Sequence, residues 1–147
     1  MGADSPLPYI TTEIMKSTEL RIILEVENLD EVIAFYRDAL GLETSKEWHE
    51  PTGNGIILDA GRASLELIDS RHAATIDTIE VGQRVAGPVR LAFRVGEAIT
   101  TAGDALVQAG ANQLAELRQA PWSRVQRMQD PSGMQFTLFE TSTLRDA

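Results

Sequence analysis

The sequence predicts an α+β chain of two βαβββ repeats forming a cupped mixed β-sheet, with the helices on the outer face. Two observations carry that prediction. Moving 69 positions along, Arg90-Leu91-Ala92-Phe93-Arg94-Val95 falls on Arg21-Ile22-Ile23-Leu24-Glu25-Val26, and Ala109-Gly110 falls on Leu40-Gly41. Both copies read as an alternating strand running into a helix that a glycine stops. One unit used twice gives two similar halves, with any site expected between them.

Residues 1–17 carry Pro6 and Pro8 among scattered polar residues and read as an arm, in which Tyr9-Ile10-Thr11-Thr12 could add an edge strand. From Leu20 the alternation is clean: Leu20, Ile22, Leu24 and Val26 point one way, Arg21, Ile23 and Glu25 the other. Asn28 is placed to cap the following helix, Asp30 and Glu31 suit its N-terminal dipole, and Val32, Phe35, Tyr36, Ala39 and Leu40 give its stripe before Gly41 ends it. That helix should lie on the apolar face, leaving Arg21 and Glu25 on the opposite one. Three strands follow, over residues 43–48, 55–58 and 63–68, parted by Pro51-Thr52-Gly53-Asn54 and Asp59-Ala60-Gly61. In the last of them Ala63, Leu65 and Leu67 should face the helix, and Ser64, Glu66 and Ile68 should face away.

The mixed polarity of residues 70–87 reads as the connection between modules 18–69 and 88–140, with room for a short helix. In the second copy Val89, Leu91, Phe93 and Val95 share one face and Arg90, Ala92 and Arg94 the other. A helix over residues 98–109 follows, with Ile99, Ala102, Leu106 and Ala109 inward, then strands over 113–117, 122–128 and 134–140. Asp130-Pro131-Ser132-Gly133 joins the last two, with proline second and glycine fourth as a type I turn favours. Here the offset has grown to 71, so Asp59 matches Asp130 and Glu66 matches Thr137; residues 141–147 read as a tail.

The chain has 147 residues, 43% of them hydrophobic, which suits one body with a core large enough to need no staple. It has no cysteine, excluding disulfides and thiolate metal sites. No apolar run nears the roughly 20 residues that cross a bilayer, so no membrane partner is expected and the cytoplasm is the expected location. A net charge of −9 argues against nucleic acid, whose phosphates call for Lys and Arg. Of 13 basic residues only Lys16 and Lys46 are lysines; the rest are arginines, better suited to forked pairing with carboxylates.

The repeat puts Arg21, Glu66, Arg90 and Thr137 in equivalent places on the face turned from the helices. Here the chain resembles the glyoxalase, bleomycin-resistance and extradiol-dioxygenase superfamily, the vicinal oxygen chelate proteins. The resemblance covers Leu20 to Glu140 and rests on several pieces in order. They are Asn28-Leu29-Asp30 leading to Ala34-Phe35-Tyr36 and Leu40-Gly41-Leu42, then Leu65-Glu66-Leu67 and Leu91-Ala92-Phe93-Arg94-Val95, and last Pro121-Trp122 through Asp130-Pro131-Ser132-Gly133. The family's metal-dependent members place ligands on the first and last strands of each half, which here are Arg21, Glu66, Arg90 and Thr137. Only Glu66 matches. Arginine has no lone pair to offer and threonine is a poor ligand for a transition metal, so no metal and no cofactor is expected.

A carboxylate flanked by two arginines can form a forked ion pair where a metal would otherwise sit. Two readings stand: a buried cluster that satisfies itself, or an arginine with donors free for a ligand carboxylate, phosphate or enolate. Other candidates are His49 at a cavity mouth or on the surface, Trp48 and Trp122 as aromatic walls or as packing, and Arg94 and Arg124 as basic lining or as sheet edge. Phosphate loops, serine elbows and paired metal histidines are absent from the sequence.

The resemblance thus implies a small-molecule protein, expected to pair into a homodimer as many relatives do. Its leading form is a metal-free binding protein akin to the drug-sequestering branch. The alternative is a lyase, isomerase or dioxygenase-like enzyme acting on a small oxygenated substrate, with Glu66 as base. Two arginines beside Glu66 should hold it ionised and weakly basic, which favours binding. The cavity should be neutral or positive, and should prefer carboxylate or phenolate ligands to cationic drugs.

Overall fold

The structure, a computed structural model, describes residues 17–83, 85–95 and 99–140. The arm, its suggested edge strand and the tail beyond residue 140 lie outside the described residues. The chain forms two compact units, Glu19–Ala92 and one whose described part is residues 17–18, 93–95 and 99–140. No helix among the described residues is long and apolar enough to cross a membrane.

The first unit runs β1 (Glu19–Glu25), α1 (Leu29–Ile33), β2 (Glu43–Glu50), β3 (Gly53–Asp59), β4 (Ser64–Ile68), α2 (Ser70–Val81) and the start of β5 (Val89–Arg94). Its strands lie in the order β2-β3-β4-β1-β5. β1 and β4 are parallel, with Arg21 beside Ser64 and Ile23 beside Glu66, whereas β3 is antiparallel to both β2 and β4. Partners across a ladder share a face, so the expected alternation is realised. Leu24, Ile56, Leu58, Leu65 and Leu67 pack with Leu29 and Ile33 of α1. Each such buried aliphatic side chain contributes about 1.5–3 kcal/mol, which makes this the anchoring core of the unit.

α1 departs from expectation in two ways. Asn28 occupies the N-cap position, yet its side chain makes no capping bond and donates instead to Glu31, at 2.8 Å. After Ile33 the backbone widens into a π-helical stretch, Ala34–Ala39, closed by the Leu40 N–H on the Phe35 carbonyl at 3.0 Å. The wider turn rotates the following residues. Phe35 and Leu40, expected in the buried stripe, are both exposed.

The segment read as a connection holds a helix of 12 residues, α2. Asp69 caps it by accepting from the His72 N–H at 2.8 Å, and left-handed Gly82 ends it. Its inward residues His72, Ala73, Ile76, Asp77 and Glu80 keep helical spacing, but three of the five are ionisable. Hydropathy therefore gives no sign of a packed helix. α2, which lies outside the two repeats, does not share the face of α1.

The second unit comprises the end of β5, α3 (Ile99–Gln108), β6 (Asn112–Gln113), β7 (Arg118–Gln119), β8 (Arg124–Gln129) and β9 (Gln135–Phe139). β8 is antiparallel to β9, β6 and β7; the predicted strand over 113–117 does not form as such, because two short strands flank it and share only Gln113 with it. The repeat shows in hydrogen bonds: Val26 N–H donates to Ile68, and 69 and 71 positions on, Val95 N–H donates to Phe139, at 2.9 and 2.8 Å. The predicted turn forms, with Gly133 N–H on the Asp130 carbonyl at 3.0 Å. Asp130 Oδ1 also accepts from Ser132 and Met134, and these bonds hold its carboxyl below the usual range.

Candidate functional site

In the first unit, register puts Arg21, Ile23 and Glu25 of β1 on one face with Ser64, Glu66 and Ile68 of β4, and with Gly55 and Ile57 of β3. Trp48 joins them through a bulge between Thr44 and Lys46 that shifts the β2 pairing by one residue, so that Trp48 lies opposite Gly55. The shift changes the face on which a side chain lies. Trp48 then covers Gly55, where any Cβ would meet its ring, and its other contact is His72 of α2, with ring centroids 5.1 Å apart. α2 therefore covers this face, and what was expected to be open cavity is occupied by a helix.

That helix brings its own charges. Asp77, fully buried, accepts from Arg90 Nη1 at 2.7 Å, and Glu25 stands 3.9 Å from the same guanidinium. Glu80 is buried as well. Arg21 donates to Glu19 at 2.9 Å, and the Ser64 hydroxyl donates to the same carboxylate oxygen at 2.7 Å. The forked pair expected of Glu66 with two arginines does not form. Each arginine is engaged by another carboxylate, and none of the hydrogen bonds or ion pairs among the described residues reaches Glu66.

Glu66 is 7% exposed. Burial raises its pKa, the Arg21 charge opposes this, Glu80 adds to it, Arg90 opposes and Glu19 adds, and the balance pushes the carboxyl up to about 7. The expectation of an ionised, weakly basic carboxylate is thus reversed. Desolvation outweighs two guanidinium charges whose attention is divided. Among the described residues of this unit, Glu19, Glu25, Glu66, Asp77 and Glu80 share the face with Arg21 and Arg90, with Lys46 further along it.

In the second unit Thr137 pairs across the ladder with Arg127, whose Nε donates to its hydroxyl at 3.3 Å while Nη1 donates to Gln135 at 2.8 Å. Arg94 lies over the Phe139 ring, 4.9 Å from its centre, on the same side as Thr137. Arg124 takes the other face, with Gln126 against α3, and is held by Glu140 through two bonds of 2.6 and 2.9 Å. It is removed from the basic lining. The arginine that alternation should have supplied is Arg127, three residues further on.

Trp122 is half-buried in the bend before β8. His49 is exposed and bonded to Glu47 at 3.0 Å. His72, Asp77, Glu80 and Arg127 are the participants that sequence reasoning missed. The signal for the first three was present: a capping Asp69, ionisable residues at positions i, i+5 and i+8, and a glycine stop.

An open depression of about 580 Å³ lies where α2 begins, lined by Asn54, Asp69, Ser70 and Arg71. The Asn54 and Asp69 side chains there are spent on the backbone N–H groups of Glu50, Asn54 and His72, which makes the depression a by-product of capping.

The donor set does not fit a metal. Of the four places the family uses, two are guanidinium groups and one a threonine bonded to a third guanidinium, and no group of three histidine or carboxylate side chains among the described residues is arranged to hold an ion.

Comparison with known proteins bears on the whole arrangement. A family model described as a glyoxalase-like domain matches residues 21–139. No curated protein matches. Among solved structures, methylmalonyl-CoA epimerase from Mycobacterium tuberculosis is similar with a TM-score of 0.60 and 22% identity, over 86% of this chain and 89% of that one. Streptomyces coelicolor methylmalonyl-CoA epimerase in complex with 2-nitronate-propionyl-CoA is similar with a TM-score of 0.59 and 21% identity, over 86% and 98%. A glyoxalase/bleomycin resistance protein/dioxygenase superfamily member from Vibrio splendidus 12B01 is similar with a TM-score of 0.54 and 13% identity, over 83% and 97%. At these identities the likeness is one of fold.

Proposed function

Because the chain belongs to the glyoxalase-like family, we propose that it binds a small molecule bearing a carboxylate, phenolate or enolate, and that arginine does the work a metal does in metal-dependent relatives. One observation carries this reading: Arg90, buried at the place of an inherited ligand, is held by a carboxylate that arrives on a helix. Asp77 is an internal stand-in for the acidic group of a ligand. A ligand oxygen anion that replaces it keeps the guanidinium paired, which a buried cation requires. Coenzyme A esters bound by the solved relatives are among the acidic molecules that such a face could take.

Calorimetric titration with a panel of small carboxylates, phenolates and cationic drugs tests the reading. Anion binding should weaken by about tenfold or more in Arg90→Ala, the loss of one charge-assisted bond. It should tighten in Asp77→Asn, which removes the competitor and keeps its shape. Tight binding of a bleomycin-like cation with no measurable anion binding would overturn it.

A second reading is favoured by Glu66, whose carboxyl titrates near neutral pH. In an isomerase-like reaction it would accept a proton from a carbon next to a carbonyl, leaving an enolate that Arg90 stabilises, and would return the proton to the same carbon. Deuterium incorporation from heavy water into an acyl thioester, lost in Glu66→Gln, is the expected sign. Binding without exchange leaves the first reading alone.

A further inference from the structure

The π-helical stretch Ala34–Ala39 puts into solvent apolar side chains that an unbroken α-helical stripe would turn inward. Among the described residues, Phe35 and Leu40 are the most exposed of the large apolar side chains, at 61% each. The bond that closes the stretch joins these two residues directly, with the Leu40 N–H on the Phe35 carbonyl, so they stand on successive turns of one surface. Held side by side, they form an apolar patch. Tyr36 packs on the core beneath it and meets the Phe35 ring edge to face, with centroids 5.0 Å apart. Leu42, whose N–H donates to the Tyr36 carbonyl at 3.1 Å, packs on the same core, so the patch is firmly seated. Beside Leu40, Gly41 has open space where a Cβ would stand.

Between Phe35 and Leu40 in sequence come Arg37 and Asp38, the only charges of the stretch. Arg37 donates to Asp38 through Nε at 2.9 Å and Nη2 at 3.3 Å, and both side chains stay exposed, at 38% and 60%. The stretch is therefore apolar and neutral, in a unit whose acidic residues outnumber its basic ones. That balance selects the occupant. A cationic partner, drawn to the acidic remainder of the unit, has no attraction to a neutral stretch, whereas a second copy of this chain carries the same excess and is repelled least there. A surface that pairs with itself about a two-fold axis must also be its own complement. An arginine next to an aspartate meets that condition, because across the axis each Arg37 reaches Asp38 of the other copy. We propose that this stretch is a self-association surface, on which Phe35 and Leu40 of two copies pack across a two-fold axis between Arg37 and Asp38 pairs. It is independent of the functional reading above, since α1 packs on the sheet face opposite Glu66 and Arg90.

Sedimentation of the full chain at low salt, over about 1–100 µM, tests the surface. The wild type should sediment as a dimer at the upper end. Phe35→Ser and Leu40→Ser, both at exposed positions, should each weaken dimerisation by about tenfold or more while circular dichroism and thermal unfolding of the chain hold. Arg37→Asp and Asp38→Arg should each weaken it too, because like charges then meet across the axis. A mixture of those two variants should form a heterodimer about tenfold or more tighter than either variant alone, a rescue that a change of fold cannot give. A wild type that stays monomeric up to about 100 µM overturns the proposal, whether the patch then serves another protein or none. A dimer whose strength ignores all four substitutions uses another surface and overturns it as well. So does a mixture that binds no more tightly than its components.

Discussion

At Glu66 the folded protein keeps a proton until about pH 7, whereas the same carboxyl freed from the fold releases it near 4.5. The folded state therefore binds more protons between those values, and stability falls as pH rises through that window, the reverse of the usual salt-bridged carboxylate. The loss is complete above pH 7 and amounts to about 3 kcal/mol. Glu66→Gln should remove it: urea unfolding at pH 8 should show the variant more stable than wild type by about 2–3 kcal/mol, with little difference at pH 4.5. A variant less stable at pH 8 would show that the charged form is held by partners and not penalised. Arg90→Ala has the opposite character. It takes the arginine partner from buried Asp77 and should cost about 3–5 kcal/mol, while Arg90→Ala with Asp77→Ala should recover part of that loss.

Among the elements, α2 separates what a hydropathy pattern can show from what it cannot. Its ends were legible as Asp69 and Gly82, but a helix whose inward face carries His72, Asp77 and Glu80 has no apolar stripe to announce it. The β2 bulge was equally hidden, since an extra residue in one strand is defined only by its partner, and it alone decides that Trp48 lies under α2. Two glycines test that packing. Gly61 has a positive φ and open surroundings, so Gly61→Ala should cost about 1 kcal/mol of backbone strain. Gly53 combines a positive φ with the His72 backbone at its Cβ position, so Gly53→Ala should cost clearly more and should reduce exchange protection in the first half of α2. Equal effects of the two substitutions on unfolding would place α2 elsewhere.

For the whole molecule the donor chemistry makes a further prediction. Arginine at two of the four inherited ligand places and threonine at a third leave one carboxylate, too few for a catalytic ion. Elemental analysis of protein purified without chelator should find well under one zinc, nickel, iron or manganese per chain. Near-unit metal would mean that ligands come from outside the described residues. Native mass spectrometry on the same sample reports bound ligand and oligomeric state together, and a homodimer is the proposed form.

The sequence by itself determined the repeat, the alternation of each strand and the side of the sheet on which Arg21, Glu66 and Arg90 lie. These are local properties: a period of two fixes the face, a glycine fixes the stop, and a constant offset fixes the equivalence. Only the tertiary structure decided which charges meet there. Arg90 could have paired with Glu66 or with any acid that the chain brought near it, and the choice fell to Asp77 because α2 folds back over the sheet. Arg124 and Arg127 differ by three positions and so take opposite faces, and the strand pairing settled which of them meets Thr137. The protonation of Glu66 followed in turn, because desolvation is set by what covers a group and not by its neighbours in the chain.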